Sequence, residues 1–166
     1  MTFVSNSLLI VNSGRSCVEE YTFTNLEPSV YMGECDVTGS LYDGHRLHHV
    51  RMTGTFGIAY DGWSIAYISD SHGLIALDVA HETATSFSTQ LMSIRQLTFD
   101  PESNSLFGIH GDDIYQIDPG SQASVPYTVL AGNSPDAEVN CDFDTPRKLI
   151  LYGADKYIVP DYKNNR

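Results

Sequence analysis

Phe56-Gly57-Ile58-Ala59-Tyr60-Asp61-Gly62-Trp63-Ser64-Ile65-Ala66-Tyr67-Ile68-Ser69-Asp70-Ser71-His72-Gly73-Leu74-Ile75-Ala76-Leu77-Asp78 holds three short apolar runs, Phe56–Tyr60, Ile65–Ile68 and Leu74–Leu77. Asp61-Gly62 parts the first two, and Ser69 to Gly73 parts the last two. Such punctuation makes hairpins: glycine reaches positive φ, and Asp and Ser side chains bond the backbone of their own turn. An antiparallel meander is predicted.

The same unit recurs outward along the chain. The aromatic that closes its first strand stands at Phe3, Tyr60, Phe99 and Phe143, and Asp61, Asp100 and Asp144 follow the last three. A polar turn comes next in each copy, then a second strand at Leu8–Val11, Ile65–Ile68, Leu106–Ile109 and Leu149–Tyr152. Third strands are predicted at Cys17–Tyr21, Leu74–Leu77, Ile114–Ile117 and Tyr157–Val159. A fourth follows in three copies, at Val30–Met32, Thr83–Phe87 and Tyr127–Leu130. His81–Met92 is the best window for a helix, but Thr83, Thr85, Phe87 and Thr89 at every second position favour a strand. Four strands in a repeat of about forty residues point to a β-propeller, whose blades bury both faces against their neighbours. A sandwich has similarly short strands, but the in-phase aromatic-Asp pairs argue against it. The fold class expected is all-β: a single-domain propeller of four-stranded antiparallel blades, about four repeats, the last incomplete.

Gly39-Ser40-Leu41-Tyr42-Asp43-Gly44, then Met52, Gly57-Ile58-Ala59-Tyr60-Asp61, Tyr67-Ile68-Ser69-Asp70-Ser71 and Ile75-Ala76-Leu77-Asp78 together resemble an NHL repeat. That family's pattern is a Gly/Asp-Gly loop, a Gly-Ile-Ala-x-Asp strand, a Tyr-Val-x-Asp-Ser strand and a strand ending in Asp. Val129-Leu130-Ala131-Gly132 resembles the Leu-Ala-Gly that closes such repeats. The remaining copies match in part: Leu149–Val159 keeps the apolar pattern without the Asp-Ser. The resemblance implies a propeller, usually of six blades, and most members are recognition scaffolds.

Bulk properties narrow the function. The chain has 166 residues, 42% of them hydrophobic and 11% aromatic, enough for a real core. Its net charge is −12 and its isoelectric point about 4.6. A phosphate backbone is repelled, so no nucleic-acid partner is expected, and anionic membranes are disfavoured likewise. Cations and basic protein surfaces stay open as partners, and acidity that serves only solubility is the plainer reading. No apolar run approaches a membrane span, so no insertion is expected. Met1–Val11 lacks a basic start and makes a poor signal peptide. If the protein is secreted, the signal is missing or the chain is part of something longer; extracellular and cytoplasmic locations both stay open.

In a propeller the turns joining second to third strands share one face with the exit loops. The turns supply Arg15, Asp70, His72, His110, Asp112, Asp113, Asp155 and Lys156, and the first blade's long exit loop supplies Asp43, His45, His48, His49 and Arg51. The ligand-binding candidates are therefore His45, His48, His49, Arg51, His72, His110, Asp112 and Asp113. Imidazole and carboxylate are what a metal or a general base would need there. The structural reading weighs more for each, since loops are polar anyway. Adjacent His48 and His49 point opposite ways on an extended segment. Asp61, Asp100, Asp144, Asp78, Asp118 and Asp161 close strands, where Asp-turn bonding accounts for them. Gly111-Asp112-Asp113 and Asp142-Phe143-Asp144 lack full EF-hand spacing. No nucleophile elbow, phosphate loop or zinc helix is present. Trp63, in a first turn, is read as a blade cap before a binding anchor.

Two functions follow. The first is a non-catalytic module that engages a protein or glycan through loops on one face, without a cofactor. The second, implied by resemblance, is a metal-dependent propeller enzyme akin to peptidyl-amidating lyases or lactonases. It would hold calcium or zinc in a central channel with His48 or His49, His72, His110 and Asp113.

Three structural expectations complete the reading. Cys17 and Cys35 flank a hairpin centred in the Asn25–Pro28 turn, within disulfide reach, while three reduced thiols including a buried Cys141 are the alternative. Tyr60, Phe99 and Phe143 are expected in the core. The last copy lacks a fourth strand and leaves Tyr157-Ile158-Val159 as an edge, so self-association or further blades from a longer chain are expected, with a closed four-bladed monomer as the alternative.

Overall fold

The computed structural model describes residues 1–40, 43–121, 127–140, 143–152 and 156–164. It is all-β: among the described residues there is no α-helix, only a 3-10 turn at Leu47–His49. Among the described residues no helix is long and apolar enough to cross a membrane. The chain divides into two compact units, Met1–Ser93 and Ile94–Arg166.

The first unit opens with a meander of β1 (Thr2–Val4), β2 (Ser7–Asn12), β3 (Cys17–Thr22) and β4 (Asn25–Met32), paired in that order. Its second sheet holds β5 (His45–Arg46), β6 (Gly57–Tyr60), β7 (Ile65–Asp70), β8 (Gly73–Asp78) and β9 (Thr83–Ser88), ordered β5-β9-β8-β7-β6. The meander expected from Phe56 to Asp78 is there, with Tyr60 opposite Ala66 and Ile68 opposite Ile75. One Oδ atom of Asp61 accepts from the N–H groups of Trp63, Ser64 and Ile65, which closes the first turn. Gly73 has φ +149°, and any Cβ there would collide with the carbonyl of Ser88 across the β8–β9 pair. Val4, Leu9, Val18, Met32, Met52, Ile58, Ala66, Ile68, Ile75 and Leu77 form the core of this unit. Both faces of β7 are covered, since Ala66 and Ile68 enter that core while Tyr67 and Ser69 are buried on the other side.

Cys17 and Cys35 are joined, with their Cα atoms 5.1 Å apart. The hairpin turns at Phe23-Thr24 rather than Asn25–Pro28, because Thr22 pairs with Asn25. Register shifts between Val18 and Glu19 and between Glu20 and Thr22 then advance β4 until Cys35, just beyond it, meets Cys17.

The second unit begins with β10 (Gln96–Asp100), β11 (Ser105–His110), β12 (Asp113–Ile117) and β13 (Tyr127–Gly132), an antiparallel meander to which β14 (Val139–Asn140) adds in parallel. A two-stranded sheet, β15 (Ile150–Leu151) with β16 (Tyr157–Ile158), follows. Phe107, Ile109, Ile114 and Leu149 make the core, with Leu130, Phe143, Leu151 and Val159 packed on it. In the expected first strand of the last copy, Cys141 and Asp142 lie outside the described residues, and Phe143 belongs to no strand.

Of the four repeated aromatics, Tyr60 and Phe143 pack on their units' cores and Phe99 is half-buried. Phe3 is 60% exposed and stacks on Phe23 instead.

Candidate functional site

The strand-closing aspartates hold their own turns. Asp100 accepts from the Glu102 N–H and the Ser103 hydroxyl, Asp78 from the N–H groups of Ala80 and His81, and Asp118 from that of Gly120. His81 also reaches Asp78 through Nδ1 at 2.8 Å, and the two bonds from His81 hold the Asp78 carboxyl below its ordinary pKa. All of these are turn chemistry.

The β7–β8 turn differs. Asp70 ends β7 with its side chain wholly buried, yet an ionisable group is seldom buried without partners. Its Oδ2 accepts from the N–H of Thr53 at 2.6 Å, and its Oδ1 from the N–H of His72 at 2.8 Å. The Nδ1 of His72 lies 3.1 Å from the same Oδ1. A carboxylate can only accept, so Nδ1 donates to it, which sets the orientation of the half-exposed ring. The same carboxylate thus orients His72 and fastens the segment that leads from Arg51 into β6. Ser71 N–H donates to the Thr53 carbonyl and Gly54 N–H to Ser16 Oγ, which tie that segment to two turns at once. Two buried hydroxyls, Thr55 Oγ1 on this segment and Ser69 Oγ on β7, have no hydrogen-bond partner among the described residues.

The other candidates of the first unit part company. His45 pairs with Ala84 and Arg46 with Thr83. Thr83 also lies opposite Asp78, so this is the end of the sheet away from the β7–β8 turn. Asp43 takes the Ser86 N–H on the way there, and Leu47 N–H donates to Glu82. The 43–49 segment therefore does not share the end that holds His72, because its extended backbone is spent on the free edge of β9. His48 and His49 are exposed on the 3-10 turn beyond it. Arg51 alone returns towards His72: it is two residues from Thr53 and lies 3.6 Å from Glu34. Arg15 is held by Asp36 and Glu19, and its hydrogen bond to Asp36 raises its pKa.

In the second unit the β11–β12 turn carries His110, Asp112 and Asp113, with His110 opposite Asp113 in the register. Asp113 Oδ1 accepts from Ser134 N–H at 2.9 Å, and Asp112 Oδ1 from Thr145 N–H at 3.0 Å. Gly132 permits this, since a Cβ there would collide with the Asp113 carboxylate. His110 is exposed, its ring 6.4 Å from that of Tyr115. Asp155, and with it the turn of the last sheet, lies outside the described residues, as do Leu41 and Tyr42. Among the described residues one set of His, Cys, Asp or Glu atoms converges within ligand distance, Cys17, Glu19 and Cys35. Its two sulfurs are bonded to each other.

Sequence reasoning named Asp70 and His72 but not the clamp between them and Thr53. Nothing in the local sequence marks it, because Ser69-Asp70 reads as the start of a polar turn and the partner Thr53 is 17 residues away.

No family model and no curated protein matches the chain. Among 33 matching chains of solved structures is hydrazine synthase of Kuenenia stuttgartiensis. The alignment has 13% identity and a TM-score of 0.52, and covers 87% of this chain and 35% of that one. The chain thus spans about a third of that protein's length. At this identity the likeness concerns the fold alone.

Proposed function

We propose that this chain is a propeller-type binding module of NHL-like blades, which engages a protein or glycan through the loops at one end of its sheets. The repeated four-strand meander in β1–β4, β6–β9 and β10–β13 supports the blade reading. The observation that carries the function is the Asp70 clamp. A wholly buried carboxylate holds Thr53 and both the backbone and ring of His72. Fixing a loop in advance lowers the ordering cost that binding would otherwise meet. The elements presented there are a half-exposed imidazole and, two residues from the clamp, the guanidinium of Arg51. Together they suit hydroxyl-rich or acidic groups.

The test is a printed glycan array together with a displayed peptide library, each probed with the unaltered chain and with His72→Ala/Arg51→Ala. Binding that falls at least tenfold in the double variant is the expected result. No binder in either collection, or binders indifferent to the two substitutions, would defeat the reading.

A further inference from the structure

The Cys17–Cys35 link in the first unit closes beside a third donor. Cys17 opens β3 opposite Asn12, and Glu19 follows two residues on in an unbroken register with β2, so the two side chains leave one face of the strand. One ligand atom each from Cys17, Glu19 and Cys35 lies within 4.8 Å of the other two. Glu19 is 9% exposed. Asn12 Nδ2 at 3.1 Å and Arg15 Nη1 at 3.3 Å both donate to its Oε1, so neither takes Oε2. Arg15 in turn is held by Asp36 through its Nε and Nη2.

The backbone around Cys35 is fastened independently of the sulfur bond. Gly33 N–H donates to the Leu47 carbonyl at 2.8 Å, Glu34 N–H to that of Val50 at 3.3 Å and Asp36 N–H to that of Arg15 at 2.8 Å. Met32, at the end of β4, stays paired with Val18, next to Cys17. Cutting the link therefore leaves the two thiols as neighbours. Cys17 is fully buried, whereas Cys35 is half-buried between exposed Glu34 and Asp36, so Cys35 is the sulfur that a reductant reaches. Two thiols and a carboxylate then share one corner, a donor set that suits zinc.

We infer that reducing the Cys17–Cys35 disulfide opens a zinc site, with Cys17 Sγ, Cys35 Sγ and a Glu19 oxygen as ligands and water in the fourth tetrahedral position. The reductant is a small dithiol. Its two sulfurs join to each other, its two electrons break the Cys17–Cys35 bond, and its two protons pass to the protein sulfurs. Zinc then displaces both protons, because the thiolate is the ligating form. Two thiolates and a carboxylate carry one negative charge more than the ion neutralises, and Arg15 on Glu19 Oε1 balances it. The covalent link and the ion exclude each other, so the same corner is closed by sulfur when oxidised and by metal when reduced.

Cobalt(II) is the probe, since zinc is d10 and silent in the visible range. Every sample carries Cys141→Ser, which removes the third cysteine of the sequence. The chain is reduced with a dithiol, freed of it without oxygen and titrated with cobalt. One cobalt per chain should bind with a thiolate charge-transfer band, and zinc should abolish that band by displacement. The oxidised chain should show no band. Glu19→Gln should keep the band and weaken cobalt at least tenfold, and Cys35→Ser should weaken it at least as much. Zinc should also raise the melting temperature of the reduced chain and not of the oxidised one. A reduced chain without the band, or a band in the oxidised chain, overturns the proposal. So does cobalt binding indifferent to Glu19→Gln, which is what the thiols of an unfolded chain would give, or a reduced chain that zinc does not stabilise.

Discussion

Ile65-Ala66-Tyr67-Ile68 and Leu149-Ile150-Leu151-Tyr152 look alike as sequences, four apolar residues with no polar alternation. In the first, Ala66, Tyr67 and Ile68 are all buried. In the second, Leu149 is buried and Leu151 packs on the core, while Ile150 and Tyr152 are exposed. The difference lies in the neighbours. β7 sits between β6 and β8, its Ile68 side faces a core shared with the first sheet, and Tyr67 on the other side meets Phe87 edge-on at 5.8 Å. β15 has one strand partner and one covered face. An uninterrupted apolar run states that a strand can bury both faces. Whether it does depends on what lies on each side.

The sharpest way to break this comparison is to truncate the two isoleucines. Ile68→Ala removes a fully buried side chain and should cost about 2–5 kcal/mol. Ile150→Ala, at 40% exposure, should change stability by no more than about 0.5 kcal/mol in dilute, high-salt solution. Chemical denaturation of both variants decides it. Equal costs would mean that the outward face of the last sheet is covered after all.

The second difference is covalent. The first unit is closed by Cys17–Cys35, a separation of 18 residues, and the described residues of the second contain no disulfide. Cutting this link with Cys17→Ser/Cys35→Ser should cost about 3 kcal/mol, by the loop-closure estimate for this length. Hydrogen exchange then locates the loss: faster exchange confined to β1–β4 is expected, and faster exchange in β10–β13 alone would contradict the assignment.

Much of the strand content was legible because β-branched and aromatic runs between Gly, Asp and Ser turns are a local signal. β2, β3, β7, β8, β11 and β12 lie within a residue or two of where those runs predict them. β5 and β14 were not legible. Each is two residues long and exists because a distant strand offers it an edge, β9 for one and β13 for the other. The same cause explains the histidines. His45 and His72 read alike as loop residues, but pairing with Ala84 carries His45 to the opposite end of the sheet. Asp70 read as one more polar residue of a second-to-third-strand turn, like Asp112, and only tertiary burial distinguishes it. Phe3 occupies the repeat position of Tyr60, yet no neighbour covers its side of the first sheet, so shared sequence phase did not bring shared burial.

The smallest effect expected concerns Tyr67, on the covered side of β7 away from Ile68. Burial, helped by the charge of Asp61, pushes its phenol up to about 12. An unfolded tyrosine ionises near pH 10. The folded pKa is the higher one, so the fold favours the protonated phenol. That contribution is fully present below about pH 10 and is lost as pH rises through about 12. Two pKa units correspond to at most about 2.7 kcal/mol at the alkaline limit and to nothing at neutral pH. Tyr67→Phe removes the group that titrates, and should flatten the fall in stability between about pH 10 and 12 relative to the unaltered chain. Denaturation midpoints measured across this pH range for Tyr67→Phe and the unaltered chain decide it. An alkaline limb that Tyr67→Phe leaves unchanged would overturn the assignment.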